Sequence, residues 1–188
     1  RYGDVAILLR ALSEVKTYER ALRRAGVPYY VVAGKGFYDR PEVADLLNLL
    51  EFVDNRTDEL ALAAVLRSPL FGVSDDTLLA LRIERLGDGA TRPRRQRVAP
   101  RPLYDAVLTH RSIPFIADDQ HAALEEAAET LSLLLELRNR LPLSELLVEA
   151  IRLTACDVVA AAALDGAQRL SNLDKLVRVA RDFERGAL

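Results

Sequence analysis

Methionine and tryptophan are absent from this sequence of 188 residues, and cysteine occurs once, as Cys156. A single thiol closes no internal disulfide and builds no zinc site alone, so a small buried apolar role is expected for it. Histidine is nearly as scarce, with only His110 and His121, which excludes a His/Cys metal cluster and a convincing Ser/His/Asp set. No apolar run approaches the ~20 residues that span a bilayer, and the start lacks the basic, apolar, small-residue order of a signal peptide. A cytoplasmic location and no membrane partner are therefore expected. With no methionine at position 1 and a strand pattern that begins at once, the chain is expected to be a piece of a longer protein.

An excess of one charge is lacking too. Lys and Arg total 26 against 28 Asp and Glu, for a formal net charge of -2, so nucleic-acid contact would have to come from a local patch. No Gly-x-x-x-x-Gly-Lys-[Ser/Thr] phosphate loop occurs, and Gly34-Lys35-Gly36 is too short to stand for one. The paired carboxylates have structural explanations: Asp75-Asp76 suits the first turn of a helix, and Glu125-Glu126 the exposed face of another, longer one. No catalytic group, metal or cofactor is expected in this chain by itself.

What the sequence does contain is half hydrophobic and 29% charged, the composition of a folded soluble chain. Val5 to Leu9 is a short continuous apolar run, the pattern of a strand buried on both faces. Glu14 to Ala25 has apolar residues at three- and four-residue steps, with Gly26 placed to end a helix, and Tyr29 to Val32 is rich in β-formers. Strand, helix, strand implies a parallel pair joined by a right-handed crossover. Two parallel strands cannot stand alone, so this βαβ piece is expected to belong to an incomplete α/β domain.

From Pro41 onward the pattern is helical. Helices are predicted over 41–54, 59–67, from Ser74 through Leu81, 103–109, 118–141, 144–153 and 173–184, the last capped by Ser171, with 155–163 a buried helical segment. Two domains follow, 1–54 and 55–188, making the chain mainly α. Between the helices, Gly87 to Arg101 holds Arg92, Arg94, Arg95, Arg97 and Arg101 in a Pro/Gly-rich loop that offers charge to phosphates. Gly72 and Ser74, in Phe71-Gly72-Val73-Ser74, precede a helix whose first amides lack intrahelical partners and suit an anion.

Asp4 to Arg10, Gly26-Val27-Pro28-Tyr29, Gly34-Lys35-Gly36-Phe37-Tyr38-Asp39-Arg40-Pro41-Glu42-Val43 and Ser68-Pro69-Leu70-Phe71-Gly72-Val73-Ser74 occur in the order and spacing found in UvrD/Rep-type DNA helicases. The AddA/RecB branch of helicase-nuclease proteins is the most similar. Asp165 to Leu173 also resembles a segment near the end of that family's helical insertion. Two departures stand out, since Ala33 replaces the first glycine of a usual pair and Val73 the second glycine of the duplex-touching turn.

The resemblance implies a helical 2B-like insertion domain preceded by part of the second RecA-like motor domain. It implies a parent that is an ATP-dependent helicase and exonuclease for double-strand-break repair and recombination. ATP and Mg would bind in the parent, outside these residues, and an AddB-like subunit would be its partner. The helical domain would rotate on a hinge at Asp54–Asp58. Lys35, Phe37, Arg40, Gly72 and Ser74, with Arg92, Arg94, Arg95 and Arg97, are the candidate contacts to duplex or forked DNA. The alternative is a helical protein-interaction module with no nucleic-acid role.

Overall fold

Pro41 supplies a preset φ at the first position of the helix on which the rest of the body packs, and Arg40 before it is extended, as a residue preceding proline prefers. In the computed structural model, which describes residues 2–11, 13–27, 29, 36–82, 101–114 and 116–186, the described residues form nine α-helices. They are α1 (Val15–Arg24), α2 (Pro41–Asp54), α3 (Glu59–Arg67), α4 (Asp75–Arg82), α5 (Leu103–Leu108), α6 (Asp118–Leu137), α7 (Leu143–Leu153), α8 (Cys156–Ala161) and α9 (Gly166–Gly186). The chain is mainly α, as expected. None of these helices is long and apolar enough to cross a membrane.

Val43, Leu46, Leu49 and Phe52, at three-residue steps on α2, are each 0% exposed. They place α2 against α3, α6, α7 and α9 at once. The division expected at 54/55 assigns α2 to the upstream part, yet its apolar face lies in the core of the helical body. Phe52 meets Tyr104 of α5 with ring centroids 5.3 Å apart, and Arg56 covers the same tyrosine at 5.0 Å.

The segment Asp54–Asp58, where a hinge is expected, forms a capped corner. Arg138 donates from Nη1 to the carbonyls of Val53 (2.8 Å) and Asp54 (2.6 Å), and Asp58 accepts from the Ala61 amide at 2.9 Å. With both helix ends tied, rotation there would break charge-assisted bonds.

The βαβ piece is not seen among the described residues. Val5–Leu9 is in no strand, and Val5, Ile7 and Leu8 are 71%, 54% and 93% exposed. A strand exists only by pairing, and no described segment offers this run a ladder. Of the second expected strand only Tyr29 is described. The crossover helix does form as α1, ending at Gly26 with φ +64, where the Val27 amide donates to the Leu22 carbonyl at 3.0 Å.

Two further boundaries move. α6 stops at Leu137 rather than 141, because Pro142 cannot donate and the residue before a proline is driven from helical backbone. α9 starts at Gly166, so Ser171 lies inside it and caps nothing. A Cβ at Gly166 would come 2.4 Å from the Ala161 carbonyl oxygen, so only glycine lets α9 begin against the end of α8. Cys156 is buried, and that burial pushes its thiol up to about 11, as expected of an inert core position.

Candidate nucleic-acid groove

α1 buries none of its residues in the body, but it lies across an open groove of about 1110 Å³ from the Gly36–Pro41 turn and α9. Lys16, Glu19, Arg20 and Arg23 are spaced by three or four along α1, so they share one face. That face lines the groove together with Arg10, Phe37, Asp39, Arg40, Gln168, Asn172 and Lys175. Six cations thus face two carboxylates, Glu19 and Asp39, in a chain whose total charge is slightly negative. The cations outnumber the carboxylates by four, so the low-dielectric walls concentrate a net positive field here although the chain as a whole is slightly negative.

At its floor Gly36 adopts φ +110, which glycine tolerates and side-chain-bearing residues resist. Phe37 follows, edge-on to Tyr38 at 5.1 Å, with the Lys175 ammonium 4.4 Å above its ring. Arg40 donates from Nη2 to Glu19 Oε1 at 2.9 Å.

The turn and the Asp165–Leu173 segment are far apart in sequence, and the fold makes them neighbours. Asn172, 5% exposed, donates to Glu42 Oε1 at 2.6 Å and accepts from Gln168 Nε2 at 3.0 Å. Arg169 pairs with Asp165 at 2.8 Å. These bonds lock the start of α9 onto the first turn of α2, and so set the distance across the groove between Lys175 and Phe37.

Of the residues expected to meet DNA, Phe37 and Arg40 line this groove and Gly72 and Ser74 do not. Phe71 is 7% exposed and Val73 2%, so the turn before α4 packs its apolar side chains inward. Gly72 takes φ +66. The Ser74 amide donates to Gln120 Oε1 at 2.8 Å, and the Ser74 hydroxyl accepts from the Thr77 amide at 3.2 Å. Asp75 and Asp76 stand in the first turn of α4, so two of its amides and its local field are already engaged. Lys35, Arg92, Arg94, Arg95 and Arg97 lie outside the described residues. Arg82 and Arg101, which flank the arginine-rich stretch, are joined when Arg82 Nη1 donates to Glu59 (2.7 Å) and to the Arg101 carbonyl (2.8 Å).

Sequence reasoning treats the arginines of α1 as the outer face of an amphipathic helix and passes over Lys175. The spacing of Lys16, Arg20 and Arg23 is a visible signal. Their partner across the groove is not.

The two histidines, apart in sequence, also meet. Their Nδ1 atoms are 2.8 Å apart, His110 is 3% exposed, and Glu125 faces His110 Nε2 at 3.4 Å while taking two bonds from Arg111. Glu125 favours the proton on Nε2, which leaves His110 Nδ1 as acceptor and His121 as donor. Burial first, and then His121, holds His110 below the usual imidazole pKa, against the pull of Glu125. As pH falls through about 6.5 the unfolded chain takes up this proton before the folded one, so His110 contributes stability above that pH and loses it below. Measured by urea unfolding at pH 7.5 and 5.5, the stability of His110→Asn relative to the unmodified chain should be higher at the lower pH than at the higher. An equal change in both proteins between the two pH values would exclude a contribution from His110.

Residues 1–88 match the UvrD-like helicase C-terminal domain. The chain is 30% identical to the ATP-dependent DNA helicase UvrD1 of Mycobacterium tuberculosis strain H37Rv, over 97% of this chain and 23% of that protein. It is 28% identical to an ATP-dependent helicase/nuclease subunit of Anoxybacillus flavithermus, over 97% of this chain and 14% of that one. For the protein of the same name from Listeria monocytogenes the figures are 27%, 98% and 14%. The chain is thus a homologue of the UvrD-type helicases, the family its glycine/aromatic/arginine turn pointed to. It spans less than a quarter of the length of these relatives.

Proposed function

We propose that this chain is a non-catalytic, DNA-path portion of an ATP-dependent DNA helicase and exonuclease subunit working in the cytoplasm in double-strand-break repair and recombination. The observation that carries the reading is the groove, where six cations and the half-buried ring of Phe37 converge in a homologue of DNA helicases. Residues 1–54 would be part of the second RecA-like motor domain, with α2 as the helix linking it to the body. Residues 55–188 would be the 2B-like insertion. The exposed apolar run Val5–Leu9 supports this, because a strand of a larger parallel sheet needs that sequence and finds its ladder only in the rest of the sheet.

In this reading Phe37 and Arg40 meet the DNA in the groove, Lys35 beside them. Gly72, Ser74 and the arginines Arg92, Arg94, Arg95 and Arg97 make a second contact with the duplex ahead of the fork. No phosphate loop occurs in the sequence, and no trio of His, Cys, Asp or Glu among the described residues is placed to hold a metal. ATP and Mg would bind elsewhere in the parent, and this portion would act by holding DNA. An AddB-like subunit is the proposed protein partner. Val158 at 64% exposure and the fully exposed Leu164, on and just after α8, are the apolar residues available to it.

Titration of a labelled forked duplex tests the DNA reading. The affinity should fall steeply from 50 to 200 mM salt, with a slope of roughly −0.7 to −0.9 per phosphate neutralised. Salt-independent binding, or none at ~20 mM salt, would favour a protein-docking module instead.

A further inference from the structure

Resting on the DNA reading of the groove, we propose that Arg40 forms a phosphodiester subsite and that Glu19 occupies it in the ligand-free chain as an internal competitor. Arg40 is the N-cap of α2, and its extended backbone is set by the proline that follows. From there its guanidinium crosses to α1 and donates to Glu19 Oε1 at 2.9 Å. Both residues line the groove, between the cations of α1 and the Phe37–Lys175 pair.

Three observations make Glu19 a stand-in for a ligand. Its side chain is only 14% exposed, so it is held inside the groove rather than extended into water. It interrupts a face that otherwise carries Lys16, Arg20 and Arg23. Its carboxylate accepts one charge-assisted bond from the Arg40 guanidinium, at Nη2, a place that a phosphate oxygen can take. The Arg40 side chain, by contrast, remains 33% exposed. The guanidinium thus keeps a face open to the groove, where an entering phosphate can take the place of the carboxylate while releasing counterions. Glu19 therefore sets a threshold, excluding isolated small anions and yielding to a polyanion that engages several of the cations together.

Glu19→Gln should tighten binding of the forked duplex by about three- to tenfold at ~50 mM salt and steepen the salt slope by about one phosphate. Glu14→Gln removes the same charge from a position that does not line the groove, and should leave the affinity within about twofold. Adding Arg40→Gln to Glu19→Gln should cancel the gain, while Arg40→Gln in the unmodified chain costs less than it does in the Glu19 variant. Circular dichroism of each variant checks that α1 is retained. If the unmodified chain binds and Glu19→Gln binds no better, the internal competitor is overturned and the groove reading stands. Equal gains from Glu14→Gln and Glu19→Gln would overturn it too, in favour of a general field. If neither the unmodified chain nor any variant shows salt-sensitive binding, the groove reading itself falls and this proposal with it.

Discussion

Replacing Lys16, Arg20, Arg23 and Lys175 together by glutamine is expected to weaken binding of forked DNA about a hundredfold or more at ~50 mM salt, and to flatten its salt dependence. Each of these cations lines the groove, and three sit on a helix that contributes no buried residue. The loss should therefore come without unfolding. Thermal denaturation within a few degrees of the unmodified chain is the accompanying expectation, and Arg152→Gln, exposed on α7 and paired with Glu149, is the control. Were the quadruple variant to bind as tightly as the unmodified chain, the polyanion would be seated elsewhere. The turn at Gly72–Ser74 would then be the first place to look.

A gain of stability is the second large effect. Asp45 lies where α2 meets α9, and burial, reinforced by Glu42, pushes its carboxyl up to about 6, with Arg169 pulling weakly the other way. An unfolded aspartate titrates near 4, so between about 4 and 6 the folded chain binds the extra proton. Stability then falls as pH rises through that window, and above it the full penalty stands. Asp45→Asn keeps the shape of the neutral form and should raise stability at pH 7 by roughly 2 kcal/mol. Urea titrations at pH 7.5 and 4.5 decide the matter, because the difference between the two proteins should shrink at the acid end. A constant difference, or a loss at pH 7, would mean that Asp45 is held as a useful anion by Arg169. The His110 effect has the opposite sign over neighbouring pH values, so each variant is compared with the unmodified chain at the same pH.

Much of the fold was legible because helix signals are local. Pro41 at the start of α2, Asp58 capping α3, Ser74 before α4 and Gly26 after α1 each act within a few residues of themselves, and each stands where periodicity and capping chemistry put it. Where the structure departs from the local reading, the departure comes from the presence or absence of a partner far along the chain. Ser171 is a good cap in isolation, but the approach of α8 lets α9 start at Gly166. The corner at Asp54–Asp58 has the polar composition of a hinge and is closed by Arg138, more than eighty positions away. Val5–Leu9 has a strand's composition, but strand character is conferred by a neighbour rather than by the run itself.

The family, too, was written in short motifs, while the purpose of those motifs emerges only in three dimensions. The Asp165–Leu173 segment is legible as a likeness to part of the family's helical insertion, but only the fold puts Asn172 on Glu42 and Lys175 above Phe37. The sequence alone determined that this chain is mainly helical, has no Walker-type phosphate loop and no net positive charge, and resembles a helicase. Tertiary structure alone decided that cations scattered from Arg10 to Lys175 face one another across a single groove, and that Glu19 sits among them. The physical reason is range: backbone preferences and caps act over one turn of helix, whereas an electrostatic site is a sum over side chains that only packing brings within a Debye length.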